Sequence, residues 1–385
     1  MKNVVAAFKH RDRISMIEIS DISISASFLH TMLKPFPVLN HLRIEVRNNA
    51  PDLDIIPDSF LGGSSPHLQY LLLDRTPLPA LPKLLLSITD LVTLGLLDLP
   101  PSVYISPEVM ATCLFMWTRL EILVLGFQSP TSSSHPDQES QLSPSMTHAT
   151  LPALTCLDFK GGSEYLEELV ARIDATPLLD SLHILFFNQP IFHTPHLSQF
   201  ISRVPKFQAL TEVSVAIFGP NIWVAGPSPT RPGPLPFGHD VLTMKILHWQ
   251  TDWQLSTLTQ LCTESLPLFL TAEHFYMMSP LVDIKNSEWL EFLHPFSAVK
   301  NLYLTKPFAL SILPALNESE LGRERVTKVL PALQNIFLVF KYQFPRPVLQ
   351  AIEQFVKARR HSGRSINVSY WEGGETVNGG YCHHW

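Results

Sequence analysis

The chain has 385 residues, of which 45% are hydrophobic and 16% are charged, against a usual charged fraction of about 25%. This balance excludes a disordered polymer, and the length predicts either two or three domains or one long repeat protein. Lys and Arg number 28 against 34 Asp and Glu, so 28 − 34 = −6 and no overall positive charge favours nucleic acid as a partner.

A short pattern, apolar at i, i+3 and i+5, recurs along the chain. From Ile14 to Leu333 there are 319 residues over 11 steps, a mean of 29, which is the period of leucine-rich repeats. The twelve units begin at these residues: Ile14, Leu39, Leu68, Leu91, Leu120, Leu154, Leu179, Leu210, Val241, Ala272, Val299 and Leu333.

The spacing has a direct physical meaning, because i+3 and i+5 point to the same side of a short strand. One unit cannot cover its own apolar face, so neighbouring units must stack, each adding a strand to a parallel sheet. The sequence therefore predicts an α/β leucine-rich-repeat solenoid, with a curved parallel sheet on the concave face and helices or irregular segments on the convex face. Twelve strands at about 4.8 Å spacing would hold a folded protein rather than a metabolite.

The segments that return to the next strand show helical signals. Ser106 followed by Pro107 predicts a capped helix start, and Thr194 followed by Pro195 predicts a second one. Thirty-three Pro residues also predict many chain breaks, hence many short elements.

Two segments interrupt the pattern, one rich in Ser, Pro and Thr over 128–150 and one rich in Pro and Gly over 219–240. Both are expected to be insertions within repeats. A degenerate thirteenth unit around Ile366 and Val368 is expected to end the array as a cap. The predicted organisation is a single solenoid of about 12 to 13 repeats over residues 1–372, followed by a flexible tail over 373–385.

The sequence shows no sign of export or of membrane insertion. Its four Cys are scattered and form no CxxC pair, as is typical of a reducing compartment. The apolar run near the start is shorter than a secretory signal, and no apolar stretch reaches the ~18 to 20 residues that span a bilayer. We expect a cytoplasmic or nuclear protein without a membrane partner.

Segments such as "LPKLLLSITDLVTLGL", "SEYLEELVARIDATPLLDSLHI" and "EWLEFLHPFSAVKNLYL" resemble an expanded family of leucine-rich-repeat proteins of mushroom-forming fungi, many described as F-box-like. The resemblance implies recognition of a protein substrate for a ubiquitin ligase, with an F-box that docks a Skp-type adaptor. No F-box is visible in this sequence, so two alternatives stay open: the chain lacks an upstream module, or it acts as a scaffold or inhibitor without the ligase.

Catalytic motifs are absent, with no GxSxG, GxxxxGK[ST], GxGxxG or HExxH, so we expect neither an enzyme nor a cofactor. Cys382, His383 and His384 are too few and too terminal to predict a metal site. The basic run Lys357, Arg359, Arg360 and Arg364 is expected to be the solvated end of a helix, where cations complement the helix dipole. Cys156 is expected to be an unreactive small residue.

The best candidate for a site is the concave strand face, at positions i+2, i+4 and i+6 of each unit. Exposed aromatic residues among polar ones suit a protein interface, although such residues also occur as covered parts of a core. The partner cannot be named from sequence. The candidate protein-binding residues are His41, Arg43, Tyr70, Asp158, His183, His274, Tyr276, Tyr303 and Phe337.

Overall fold

The computed structural model describes fourteen strands and nine helices. The described residues are 7–20, 32–46, 59–78, 81–128, 148–174, 176–187, 193–218, 221–227, 240–247, 254–278, 284–318, 329–339 and 344–371. The chain divides into two compact units, the first over Met1–Leu182 and the second over His183–His384. Each unit is described by itself.

The first unit is a parallel sheet in chain order. Its strands are β1 (Met16–Ser20), β2 (His41–Glu45), β3 (Tyr70–Asp74), β4 (Thr93–Leu99), β5 (Ile122–Phe127) and β6 (Cys156–Gly161). Each pairs in parallel with the next. The start of β7 (Ser181–Phe186) follows the same pattern, because the N–H of Ser181 donates to the carbonyl of Thr155 at 3.0 Å.

Short helices return the chain between these strands. They are α1 (Leu81–Leu86), α2 (Pro107–Met116) and α3 (Ser163–Val170), with 3-10 turns at Phe8–Arg13, Phe60–Gly63 and Pro101–Val103. The predicted cap of α2 is confirmed, since the Ser106 hydroxyl accepts the N–H of Val109 at 3.3 Å. Trp117 ends this return fully buried, and its indole N–H donates to the carbonyl of Ile88 at 2.9 Å.

The second unit departs from the all-parallel prediction at one place. Its strands, in their order across the sheet, are β10 (Asp240–Leu247), β9 (Asn221–Pro227), β8 (Glu212–Phe218), β11 (His274–Met278), β12 (Asn301–Leu304), β13 (Asn335–Val339) and β14 (Asn367–Trp371). The pairs β8–β9 and β9–β10 are antiparallel, and the pairs from β8 and β11 to β14 are parallel.

The antiparallel strand β9 lies in the segment 219–240 that the sequence treats as a plain insertion. Two residues separate β8 from β9, a length typical of β-hairpins. Ile222, Val224 and Ala225 of β9 are fully buried, so this part of the segment belongs to the core. β10 therefore lies beside β9, and β11 returns to pair with β8.

Helices again return the chain in the second unit. They are α4 (Pro195–Ser202), α5 (Pro205–Gln208), α6 (Gln254–Gln260), α7 (Asn286–Leu293), α8 (Lys306–Glu318) and α9 (Arg346–His361). α4 begins with Pro195 as predicted, but Thr194 does not cap it with its side chain. The Thr194 hydroxyl is buried and instead lies 2.5 Å from the hydroxyl of Ser265, because a buried hydroxyl requires a partner.

The core confirms the repeat prediction. All twelve pairs at i+3 and i+5 lie within strands, and each of these side chains is at most 6% exposed. Burying one such Leu or Ile contributes about 1.5 to 3 kcal/mol, so the repeated pairs contribute substantially to stability. The fold is a leucine-rich-repeat α/β fold with an open, mostly parallel sheet.

The last strand, β14, is less covered than the others. Val368 and Tyr370 align with the core residues Ile336 and Leu338 of β13, yet are 42% and 60% exposed. Residues 129–147 of the first predicted insertion and the predicted tail 373–385, with Cys382 to His384, lie outside the described residues. Among the described helices, none combines the length and the apolar composition needed to cross a bilayer.

Candidate protein-binding face

The strand side opposite the buried i+3 and i+5 pairs is called the outward face in each unit. All nine candidate residues lie on strands, at positions that alternate with the buried pairs. Three of them are buried, Asp158 at 8% and Tyr276 and Tyr303 at 7% exposure each. The other six are half-buried: His41, Arg43, Tyr70, His183, His274 and Phe337.

In the first unit, His41 and Tyr70 form one contact across β2 and β3. Their rings are stacked, with centroids 4.1 Å apart and planes 3° from parallel. His41 Nε2 also lies 3.0 Å from Glu18 Oε1 of β1. Burial raises the pKa of the Tyr70 hydroxyl, although the nearby Arg43 opposes this. The sheet thus fixes a His–Tyr platform beside charged side chains.

Arg43 is paired within its own strand. Its Nε donates to Glu45 Oε1 at 2.8 Å, and its Nη2 reaches the same oxygen at 2.5 Å. This hydrogen bond raises the pKa of the guanidinium, while partial burial opposes the shift. With 42% of its side chain exposed, Arg43 stays accessible to solvent and to a partner.

Asp98 is a charged centre that the sequence does not reveal. The β4–β5 register shifts between Leu96 and Leu99, and Asp98 has φ 45°, as expected at a β-bulge. Its carboxylate accepts from Lys160 Nζ at 2.5 Å and from Arg75 Nη2 at 3.1 Å. A bulge has no strict sequence signature, although Asp tolerates positive φ better than most residues.

The pKa values of two carboxylates in this cluster shift in opposite directions. Burial alone would raise the pKa of Asp98, but hydrogen bonds from Lys160 and Arg75 outweigh it, so the pKa is lowered. Burial raises the pKa of Asp74, and its Oδ1 is buried without a hydrogen-bond partner. Asp98 therefore stays charged under more acidic conditions than Asp74.

Asp158 lies beside Cys156, whose thiol is 3.8 Å from Asp158 Oδ1. Burial, assisted by the Asp158 charge, raises the pKa of the Cys156 thiol to about 11. Burial likewise raises the pKa of Cys113 and Cys262 to about 12. At neutral pH these thiols are protonated and are poor nucleophiles.

In the second unit, the candidate aromatic residues form one stacked row across β11, β12 and β13. The ring centroids of Tyr276 and Tyr303 are 3.8 Å apart, and those of Tyr303 and Phe337 are 4.7 Å apart. Trp371 of β14 meets Tyr303 edge-on at 5.9 Å. Stacking buries the two Tyr side chains, which settles the question of exposure that the sequence leaves open, and Phe337 remains half-buried.

Beside this aromatic row runs a ladder of side-chain amides, defined by Asn301, Asn335 and Asn367. The register aligns all three with His274. Asn335 Nδ2 donates to Asn301 Oδ1 at 2.8 Å, and Asn367 Nδ2 donates to Asn335 Oδ1 at 3.3 Å. Asn301 Nδ2 lies 3.3 Å from the His274 ring, which also contacts the Tyr303 hydroxyl at 3.1 Å.

The sequence signal for this amide ladder is Asn immediately before the i+3 position in three successive strands. The set of nine candidate residues omits all three of these Asn residues, because polarity at one position predicts little until the register is known. Glu212 of β8 lies opposite His274 in the register, so it stands in line with the amide ladder. Burial raises the pKa of Glu212, and its Oε2 is buried without a hydrogen-bond partner.

The comparisons with known proteins find similarity to solved structures, at low sequence identity. No protein-family model matches the chain, and no curated protein matches it. The crystal structure of the leucine-rich-repeat protein LegL7 from Legionella pneumophila is similar at 13% identity, over 88% of this chain and 97% of that chain, with a TM-score of 0.34. Within the described residues, no group of three or more His, Cys, Asp and Glu is placed to hold a metal ion.

Proposed function

We propose that the chain is a non-catalytic protein-recognition module whose partner binds the outward face of the second unit. The observation that carries this proposal is the aromatic row of Tyr276, Tyr303 and Phe337 beside the amide ladder. Trp, Tyr and Arg dominate interface hot spots, and Tyr and Asn are enriched in the binding loops of antibodies.

The fixed geometry of these side chains supports binding. Ordering a flexible side chain at an interface costs about 0.5 to 1.5 kcal/mol, and stacking has already ordered these rings. An Asn side chain offers two donor hydrogens and two acceptor lone pairs, and the ladder bonds use only part of them. Asn367 is exposed and Asn335 is half-buried, so we expect a partner to meet the remaining donors and acceptors of these two side chains.

The outward face of the first unit supplies charge of both signs. Arg43, Glu45, Asp98 and Lys160 lie there in close pairs. Charged groups at an interface contribute more to specificity and to the rate of association than to affinity. We therefore assign this face a supporting role.

The proposal is tested by affinity capture with two surface variants of the full chain. Phe337→Arg with Ser369→Arg places charge on the aromatic row at half-buried and exposed positions, which keeps the buried Tyr pair intact. Glu353→Arg changes an exposed residue of α9 and is the matched control. A protein that is captured by wild type and control but lost by the double variant supports the proposal, provided that thermal unfolding shows all three chains folded.

Two finer roles are distinguished by the captured proteins. The resemblance to F-box-like repeat proteins favours the substrate-binding part of a ubiquitin ligase, and a Skp-type adaptor or cullin in the captured material supports it. The repeat architecture alone favours a stand-alone scaffold or inhibitor, which would bind its partner without either protein. A partner that is retained by the double variant contradicts the proposed binding face in both cases.

A further inference from the structure

The strands β11, β12, β13 and β14 contain no Asp, Glu, Lys or Arg, since their sequences are HFYMM, NLYL, NIFLV and NVSYW. Each strand from β1 to β4, by contrast, carries at least one Asp, Glu or Arg. We call the outward face of β11 to β14 the uncharged strip. Glu212 on β8 and the pair of Glu273 with Lys300 border it. The strip offers hydrogen bonds and apolar surface, but its strands supply no counter-charge.

The amide ladder keeps unused hydrogen-bonding groups at its β14 end. Asn335 donates one hydrogen to Asn301 and accepts one from Asn367. Because an Asn amide has two donor hydrogens and two acceptor lone pairs, Asn335 keeps one of each. Asn367 keeps one donor hydrogen and both lone pairs. The exposed end of the ladder therefore presents donors and acceptors side by side.

This arrangement matches the peptide group of an extended chain. The N–H and the C=O of one residue in a strand point to the same side, as in the closely bonded pairs of antiparallel strands. Helices and the inner strands of sheets satisfy these backbone groups internally. A partner that offers its backbone to the amides must therefore be extended where it makes contact.

Accessible aromatic surface lies beside these amides. Phe337 is half-buried, and the residue opposite it in the β13–β14 register, Ser369, is small and exposed. Trp371, two residues further along β14, is also half-buried and meets Tyr303 edge-on at 5.9 Å. An apolar side chain of an extended segment can therefore pack on Phe337 and Trp371 while the backbone of the segment meets the amides.

We propose that the uncharged strip recognises an extended, uncharged segment of the partner protein, whose backbone bonds to Asn335 and Asn367 and whose apolar side chain packs on Phe337 and Trp371. This inference rests on the proposed function and specifies the partner. A charged side chain in the segment would lose water without gaining a counter-charge from the strip, which is unfavourable. Backbone bonds supply affinity, and the exclusion of charge supplies specificity.

The test uses a library of random dodecapeptides displayed on phage, with the full chain as the bait. The enriched peptides are synthesised with a fluorophore, and their affinity for the full chain is measured by fluorescence anisotropy. The expected result is a shared segment that lacks Asp, Glu, Lys and Arg and contains a large apolar residue. Its binding is expected to be lost in the double variant Phe337→Arg with Ser369→Arg.

A single charge on the ladder tests the specificity. Asn367→Asp replaces an exposed amide by a carboxylate, and it is expected to weaken the binding of these peptides about tenfold. The same library selected on Asn367→Asp is expected to enrich Lys and Arg. Gln350→Glu makes the same change at an exposed position of α9 and should keep the wild-type affinity. If Asn367→Asp does not fold, Ser369→Asp places the charge at the exposed neighbouring position.

The outcomes separate this inference from the proposed function. Charged segments among the enriched peptides, equal affinity of wild type and Asn367→Asp, or a library that yields no binder would each overturn the inference. If a folded protein is nevertheless captured and is lost by the double variant, the proposed function stands without an extended segment. If neither a peptide nor a captured protein depends on Phe337 and Ser369, both proposals are overturned.

Discussion

The outward faces of the two units are built on the same buried repeat but differ in chemistry. In the first unit, Arg43 pairs with Glu45, and Asp98 pairs with Arg75 and Lys160. In the second unit, aromatic rings stack across three strands, and amides form a hydrogen-bonded ladder beside them. The repeat fixes the core positions, and the alternate positions are free to diverge.

This difference has energetic consequences. An exposed ion pair such as that of Arg43 with Glu45 contributes about 0 to 1 kcal/mol and is weakened by salt. When one ring of a nearly buried stack is removed, its neighbours lose dispersion contacts and a cavity is left. The stability of the outward face should therefore depend more on packing in the second unit, and more on pH and ionic strength in the first unit.

The largest effect is expected for Tyr303→Ala. Tyr303 is 7% exposed and lies between Tyr276 and Phe337, so its removal should lower the free energy of unfolding by about 3 kcal/mol. Tyr303→Phe keeps the stack, loses the hydroxyl contacts with His274 and Tyr276, and should cost about 1 kcal/mol. Urea denaturation measures both, and equal losses would show that stacking does not stabilise this face.

Asp98→Asn should lower the free energy of unfolding by about 1 to 2 kcal/mol at pH 7, because it removes the carboxylate that pairs with Lys160 and Arg75. The pKa of Asp98 is lowered in the folded chain, so its contribution is present above the unfolded pKa of about 3.9 and is lost as pH falls through the folded pKa. The difference in the free energy of unfolding between wild type and variant should become smaller as the pH falls.

Asp74→Asn is the matched control for this pH effect. Burial raises the pKa of Asp74, so its charged form is disfavoured in the folded chain and the neutral amide should be tolerated at pH 7. Denaturation from pH 7 down to pH 3 measures both variants. A larger loss for Asp74→Asn than for Asp98→Asn would contradict the assigned charge network.

Asn335→Ala breaks the centre of the amide ladder. It removes the bonds to Asn301 and from Asn367, at an expected cost of about 1 kcal/mol. Gln334→Ala changes the exposed neighbour and should stay within about 0.5 kcal/mol of wild type. Both are measured by the same denaturation, and indistinguishable stabilities would mean that the ladder is not a stabilising network.

The smallest effect is expected for Arg43→Gln. Arg43 is 42% exposed, so loss of its pair with Glu45 should cost about 0.5 kcal/mol, and less as salt rises from about 0.05 M to 0.5 M. The cost of Asn335→Ala should be unchanged over the same range, because no ionic group is removed. Similar salt dependence for the two variants would remove the distinction between the faces.

The repeated core could be predicted from sequence because the i, i+3, i+5 spacing is local and recurs twelve times. The strand β9 could not, because its surroundings are rich in Pro and Gly and its buried positions follow no repeat. The bulge at Asp98 depends on a register shift between β4 and β5 that appears only when the strands are paired. Both are products of tertiary contacts, which a local pattern does not encode.

The candidate face was predictable in position but less so in environment. Strand alternation identifies Tyr276 and Tyr303 as outward, whereas their burial follows from rings on neighbouring strands stacking against each other. For Arg359, which is only 1% exposed, burial itself could in contrast have been predicted. Its helical spacing from Phe355 already indicates a buried position, but its charge favours a solvated interpretation.

The most direct test of the proposed binding face is site-specific photo-crosslinking of the full chain in its native lysate. A benzoyl-phenylalanine at Ser369, exposed beside Phe337 on the aromatic row, is compared with one at Glu353 on α9. A discrete protein adduct from position 369 but not from position 353 is the predicted result. An adduct formed from position 353, with none from position 369, would contradict the proposed binding face.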